Sequence, residues 1–299
     1  MNKLKIAIVG CRNMGQKHLK TLRENFANTV EVVGILNSTP ESSAKRAAEL
    51  EVPYFTNIDD IKKDTVDAAI ISTPAPTHAK IGENLLLKGI PCLIEKPLAT
   101  HLSECEKLIS AAKKSKSLIL AGHLENYNPA VMRLKEELRS PVTSIKGIRT
   151  SRNSSNKTGI SAVQELMIHD LAIVHSLLGN DLISSKVHKH PNLSWENHAI
   201  VEIEYQNGAT VKLEALREDR EVERFMDITD ADGNIFHIDF MECRLLKNGQ
   251  ILTSGGHSLT NELTDFISCI KNKSVPLVDM YEAKNVLELC LNLEKNMSA

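Results

Sequence analysis

Three places in this 299-residue chain hold residue types whose spacing could do chemistry. The first is Pro91-Cys92-Leu93-Ile94-Glu95-Lys96-Pro97, where an apolar run stops at an acid, a base and a proline. Pro97 fixes its own φ and steers Lys96 out of the α region, so Lys96 ends an extended segment. The second is the turn Gly10-Cys11-Arg12-Asn13-Met14-Gly15. It keeps the first and third glycines of G-x-G-x-x-G, which make the turn and let helix and strand pack closely, and puts Arg12 at the middle position. Amides at the helix start remain available to an anion, and Arg12 offers a cation. The third is Glu165 and His169, at i and i+4 of a helix expected over 164–178, where they share a face. An imidazole of ordinary pKa suits transfer of a hydroxyl proton, and an ammonium suits stabilisation of the oxygen left behind. Taken singly, each has a plain structural reading: a solvated strand-end Lys, a tight turn, a helix His packed beside an apolar stripe.

These residues need elements to position them. Apolar runs at Leu4–Val9, Val30–Leu36, 66–71, 92–94 and 118–121 alternate with helical patterns at 14–26, 41–50, 76–88 and 101–115. Nearly continuous apolar strands alternating with helices imply a parallel sheet covered on both faces, hence an α/β, Rossmann-like domain over residues 1–122. From Val142 the pattern changes. Ala199, Val201, Ile203 and Tyr205 alternate with polar residues, and Asn207-Gly208, Asp232-Gly233 and Asn248-Gly249 supply hairpin turns. Residues 123–299 therefore read as an α+β domain with a mostly antiparallel open sheet, closed by helices over 259–270 and 280–293. An antiparallel sheet with a free face often dimerises, so a homo-oligomer, dimer or tetramer, is expected.

The end of the second strand tests the cofactor. An acid about 20 residues past the glycine turn would bind the ribose 2′-hydroxyl of NAD. The position falls at Asn37, followed by Ser38 and Thr39. Asn still bonds a hydroxyl and does not repel a 2′-phosphate, so NAD and NADP both stay open. Arg46 is a candidate to reach a phosphate, or an exposed helix residue.

The composition is that of a globular protein, 42% hydrophobic and 25% charged, with net charge −2 and no long block of one sign. Nothing points to nucleic acid or to an anionic membrane, and no apolar run approaches the roughly 20 residues that span a bilayer. The six cysteines (11, 92, 105, 243, 269, 290) show no CxxC and no framework spacing, as expected of reduced thiols in a cytoplasmic protein.

Three ordered motifs, IAIVGCRNMGQKH, AAIISTPAPTHAKIGENLLLKGIPCLIEKPLA and ELMIHDLAIVHSLLG, make the chain resemble the Gfo/Idh/MocA (glucose–fructose oxidoreductase/inositol dehydrogenase) family. The resemblance covers nearly the whole chain, and Thr73-Pro74, His78 and Glu95-Lys96-Pro97 are its most specific part. It implies an N-terminal NAD(P)-binding domain, with Thr73, Pro74, His78 and Glu95 at the cofactor and Lys96 beside both nicotinamide and substrate. It adds Gly10, Arg12, Asn13, Met14, Gly15, Asn37 and Ser38 as cofactor-binding candidates. GHLENYNP is similar to the GHxERFNP crossover of nucleotide-sugar members, with Asn126 where those carry Arg and Tyr127 where they carry Phe; Tyr127 is a candidate substrate contact. The family's D-x-G-x-H arrangement appears with Glu165 for Asp and Met167 for Gly, which implies a substrate-binding Glu165 and a catalytic His169.

The expected activity is hydride exchange between a nicotinamide and a sugar hydroxyl or ketone, with the crossover resemblance pointing to a nucleotide or amino sugar; the alternative is a non-catalytic dinucleotide sensor or scaffold that keeps the fold. Among other residues, His188 and His190 share a strand face without a third ligand at diagnostic spacing, so no metal site is expected. Trp195 could stack on a sugar or pack in a core. Asp170 and Glu196 carry no distinct role.

Overall fold

The computed structural model describes residues 3–152, 160–188, 197–218 and 221–298; His190, Trp195 and Glu196 lie outside them. β1 (Leu4–Val9) runs into α1 (Asn13–Asn25), and β2 (Val30–Leu36) into α2 (Pro40–Leu50). Then β3 (Ala68–Ile71), α3 (His78–Leu87), β4 (Cys92–Glu95), α4 (Leu102–Ser115) and β5 (Ile119–Gly122) complete the alternation. The five strands form a parallel sheet ordered β2-β1-β3-β4-β5. Ile6, Ile8, Ile70, Ile71, Leu93 and Ile94 are all fully buried, as strands this apolar require when helices cover both faces. β3 is shorter than the apolar run 66–71. Val66 is buried, but its N–H closes a turn onto the Lys62 carbonyl instead of joining the ladder.

The next stretch opens with α5 (Pro129–Glu137), capped by the Asn128 side chain, which accepts from the Ala130 N–H at 3.0 Å. β6 (Val142–Ser151), α6 (Ile168–Leu178), β7 (Leu182–His188), β8 (His198–Tyr205) and β9 (Thr210–Arg217) follow. β10 (Arg224–Asp230), β11 (Ile235–Asp239), β12 (Arg244–Lys247) and β13 (Gln250–Thr253) complete an eight-stranded sheet. Its order is β13-β12-β11-β10-β6-β9-β8-β7, with β6 and β9 parallel and the other pairs antiparallel. The inward set Ala199, Val201, Ile203 and Tyr205 meets Val211, Leu213 and Ala215 in one buried cluster with α6.

The helix expected over 164–178 is not uniform. Val163–Met167 forms a π-helical turn, and only Ile168–Leu178 is α-helical. The wider turn breaks the i, i+4 stacking that would have placed Glu165 directly beside His169.

α7 (Ser258–Asn272) and α8 (Met280–Ser298) end the chain. The structure divides into two compact units: residues up to Gly122 together with Leu259–Lys284, and His123–Ser258 together with the residues from Asn285 onward. Within the first unit, the returning segment closes the outer edge of β5, where the Ala121 N–H donates to the Val278 carbonyl at 3.2 Å. The Asn25 amide donates to the Thr260 hydroxyl at 2.8 Å, and Lys284 pairs with Glu106 at 3.1 Å. In the second unit, Val286, Cys290 and Leu293 of α8 join the core. No helix among the described residues is long and apolar enough to cross a membrane.

Candidate active site

The carboxyl edge of the first sheet brings the predicted residues into a line. The strand order sets Asn37 after β2, Gly10 and Arg12 after β1, Thr73 and Pro74 after β3, and Lys96 after β4. From β2 to β4 is three strand spacings, about 14 Å. The switch between β1 and β3 is where ligands bind in such sheets. A cleft of about 1020 Å³ opens there, lined among others by Gly10, Arg12, Asn37, Ser38, Thr73 and Pro74.

The glycine turn is built for close approach. Gly10 has φ +90°, and a Cβ on it would stand 2.7 Å from the Ser72 and Thr73 backbone. A Cβ on Gly15 would stand 2.1 Å from the Gly10 carbonyl oxygen, so α1 sits directly on the turn. Arg12, at the middle position, has φ −101°, which any L-residue accepts; its side chain is exposed at the cleft. No side chain caps the amides of the first turn of α1, which begins with exposed Asn13 and half-buried Met14. Such amides suit an anion.

Asn37 turns out to be a bracket. Its side-chain oxygen accepts the Cys11 N–H at 2.9 Å, and its amide nitrogen donates to the Ser42 carbonyl at 3.3 Å. Arg46 braces the same turn, its Nε donating to the Cys11 carbonyl at 3.1 Å, and pairs with Glu49 at 2.7 Å. The sequence reading missed Ser42 and Lys45, which line the cleft from α2. Their signal was present: 42, 45, 46 and 49 form a polar stripe at helical spacing.

His78, expected at the cofactor, is buried, 1% exposed. Its ring nitrogens lie 2.7 Å from the Thr73 carbonyl and 2.8 Å from the Pro97 carbonyl, so it ties together the two loops that carry Thr73 and Lys96. Its contribution is made from behind the cleft. Glu95 is likewise buried and meets His18 Nε2 at 2.8 Å. Burial acts to raise the Glu95 pKa, but His18 first, then Lys96 and His78, outweigh it and hold the carboxyl below its ordinary value. Lys96 is half-buried, and its peptide bond to Pro97 is cis. Neither His18 nor its neighbour Glu262 on α7 was singled out from sequence; with Glu95 they are the one grouping of three potential ligand residues among the described residues.

In the second unit, Glu165 is ion-paired with Arg217, whose guanidinium also donates to the Ile160 and Ser161 carbonyls at 2.8 and 3.1 Å. The carboxylate is thus held at a fixed place while 37% of its side chain stays exposed. His169 is half-buried on the first turn of α6. Asp170, which carried no role in the sequence, accepts two hydrogen bonds from Arg149 Nε and one from its NH2 at 3.1, 3.0 and 2.8 Å. Arg149 also donates to Glu125 at 2.9 Å and lies over the Phe240 ring at 4.7 Å. Burial acts to lower the Arg149 pKa, but the two carboxylates more than offset it and hold the guanidinium charged. Tyr127 is 1% exposed, which makes it a core side chain of this unit. His188 pairs with Glu202 at 3.1 Å on an exposed strand face.

These residues fit a dinucleotide: a turn in which Gly10 and Gly15 leave no room for a Cβ, uncapped helix amides beside a cation, and a cleft along the strand ends. A family model described as "Oxidoreductase family, NAD-binding Rossmann fold" (Gfo/Idh/MocA) matches residues 4–123. UDP-N-acetylglucosamine 3-dehydrogenase of Acidithiobacillus ferrooxidans is 24% identical over 99% of this chain and 98% of its own length. Inositol 2-dehydrogenase of Paracoccus denitrificans is 25% identical over 62% of this chain and 57% of its own. A solved structure of the Acidithiobacillus enzyme superposes with TM-score 0.90, covering 99% of this chain and 98% of that one at 24% identity. The structure of a gentamicin A biosynthesis protein in complex with NAD gives 0.83, with 100% and 95% covered at 17% identity. These structural likenesses establish the fold. Residues 4–123 thus match the NAD-binding Rossmann domain of the Gfo/Idh/MocA oxidoreductase family.

Proposed function

We propose that this chain is an NAD(P)-dependent dehydrogenase that interconverts a hydroxyl and a ketone on a sugar, with nucleotide sugars as its substrate class. The observation that carries the reading is the order of groups along the first sheet, from the β2 end through the anion-ready start of α1 and Thr73-Pro74 to Lys96. When bound, the nicotinamide exchanges a hydride with the substrate carbon. Arg12 and the α1 amides hold the phosphates, and Ser38 and Lys45 take the adenosine ribose end. The Lys96 ammonium stabilises negative charge on the reacting oxygen, and the Glu95 carboxylate one residue earlier interacts with it electrostatically. His169 accepts the hydroxyl proton on oxidation and returns it on reduction. Glu165, held by Arg217, accepts a hydrogen bond from a second sugar hydroxyl.

The name of the Acidithiobacillus relative supports a nucleotide sugar, and that of the Paracoccus relative supports a cyclic polyol; the full-length match of the former favours the nucleotide sugar. The test is a panel of UDP-sugars and free polyols with each cofactor. Turnover is expected with a UDP-sugar, falling about 10²–10⁴-fold in His169→Ala and about 10²–10³-fold in Lys96→Ala. Unchanged turnover in both variants sinks the assignment. Thermal stabilisation by neither NADH nor NADPH at millimolar ligand would instead support a scaffold, since a ligand of the native state raises its apparent stability.

A further inference from the structure

Glu262, on α7, is fully buried, and neither of its carboxylate oxygens has a hydrogen-bond partner. His18 on α1 and Glu95 at the end of β4 present atoms that lie, with one from Glu262, within 4.8 Å of one another. His18 and Glu95 are already joined at 2.8 Å, and the second ring nitrogen of His18, Nδ1, is buried without a partner. Two carboxylates facing each other in a dry site cannot both stay ionised. Either a proton or a cation must remove the second charge.

The surroundings favour the proton. The grouping offers three donor residues and no fourth among those described, and all three are buried, so a hydrated ion has no open path. The closed His18–Glu95 bond would have to give way to a metal. We propose that Glu262 is a positioning residue, sharing one proton with the Glu95–His18 pair and so clamping the Glu95 side chain behind Lys96. The role given to Lys96 rests on the function proposed above; the clamp itself does not. The other charged groups that bear on the pair are Lys96 beside Glu95, His78 on α3 and Asp265 on α7. Burial first, then the charges of Glu95 and Asp265, push the Glu262 carboxyl well above the ordinary range.

A group whose folded pKa is raised contributes stability that is complete below its unfolded pKa and is lost as pH rises toward the folded value. Wild-type protein should therefore lose melting temperature relative to Glu262→Gln, whose amide cannot ionise, as pH rises above the ordinary carboxylate range. Glu262→Gln should keep NAD(P)H affinity and flatten the alkaline fall of that affinity, whereas Glu262→Ala should lose affinity at every pH. Parallel melting profiles for wild type and Glu262→Gln would overturn the clamp, as would stoichiometric zinc or manganese in the purified protein. Should Glu262→Gln fail to fold, carbon-13 NMR of glutamate-labelled wild type decides. One carboxyl still protonated at neutral pH supports the clamp, and its absence overturns it. A protein that shows the melting difference but turns over no sugar would leave the clamp standing and remove only the function proposed for Lys96.

Discussion

The Asn37 side-chain oxygen accepts the Cys11 N–H at 2.9 Å, which fastens the end of β2 to the turn after β1. The residue proposed to meet the ribose is thus also part of the frame of the glycine turn. Asn37→Asp keeps an acceptor for the Cys11 amide and adds a charge that repels a 2′-phosphate. It should shift relative affinity toward NADH over NADPH by about tenfold or more, read by fluorescence titration with both cofactors. Asn37→Ala leaves the Cys11 amide without its partner and should cost about 1–3 kcal/mol in urea unfolding.

Arg149 and Asp170 form the most demanding charge cluster of the second unit, with both side chains 2% exposed. Arg149→Met leaves the buried Asp170 and the partly buried Glu125 without their cation and should destabilise by about 3–5 kcal/mol. The double change Arg149→Met, Asp170→Leu should recover part of that loss, because an apolar pair needs no charge partner. Denaturant midpoints of the two single variants and the double variant check this as a cycle.

How far these arrangements were legible in sequence depended on the reach of the interaction. β1 and β2 came out at their observed bounds because each apolar run stops at a residue with a local task, Gly10 at the turn and Asn37 at the bracket. The cleft at the carboxyl edge of the first sheet is lined by residues the sequence singled out, such as Gly10, Arg12, Asn37 and Thr73, since these sit at strand ends. Asp170 stayed mute because its partner Arg149 lies 21 residues earlier on another element. His18 carried no distinct role within the helical pattern of 14–26, since its partner Glu95 is 77 residues away. α6 is buried nearly all round, through Leu171, Ala172, Ile173 and Val174, so its periodicity could not announce the π-helical turn before it.

Glu104 gives a test on the acid side. Its Oε2 accepts from the Thr100 N–H, the Thr100 hydroxyl and the His101 N–H at 3.0, 2.9 and 3.2 Å, at the start of α4. Slight burial acts to raise its pKa, but these donors outweigh it and hold it below the ordinary value. A depressed folded pKa contributes stability above the unfolded pKa that is lost as pH falls through the folded one. Glu104→Gln should therefore cost about 0.5–1 kcal/mol at neutral pH and narrow to no difference from wild type in strong acid. Melting temperatures measured down the acid limb provide the check.

Thiol chemistry probes burial directly. Cys11, Cys92, Cys105, Cys269 and Cys290 are buried, and only Cys243 is partly open. Burial first, then Glu104, push the Cys105 thiol up to about 12, far from the thiolate that reacts. Native protein with a disulfide reagent at mildly alkaline pH should release one equivalent ahead of the rest, and Cys243→Ser should abolish that early phase. A fast phase that survives the substitution would contradict the burial assigned to the other five.

The return of residues 259–284 to the first unit has a consequence for synthesis. When Gly122 leaves the ribosome, all five strands of the nucleotide-binding sheet exist, yet the segment that closes the edge of β5 and covers Glu95 is still more than a hundred residues from being made. The nascent domain must wait with an open strand edge and an uncovered acid, a state prone to pairing with the wrong chain. Chaperone dependence during translation should accordingly concentrate in that interval, and a version carrying residues 259–284 grafted directly after Gly122 should shorten it.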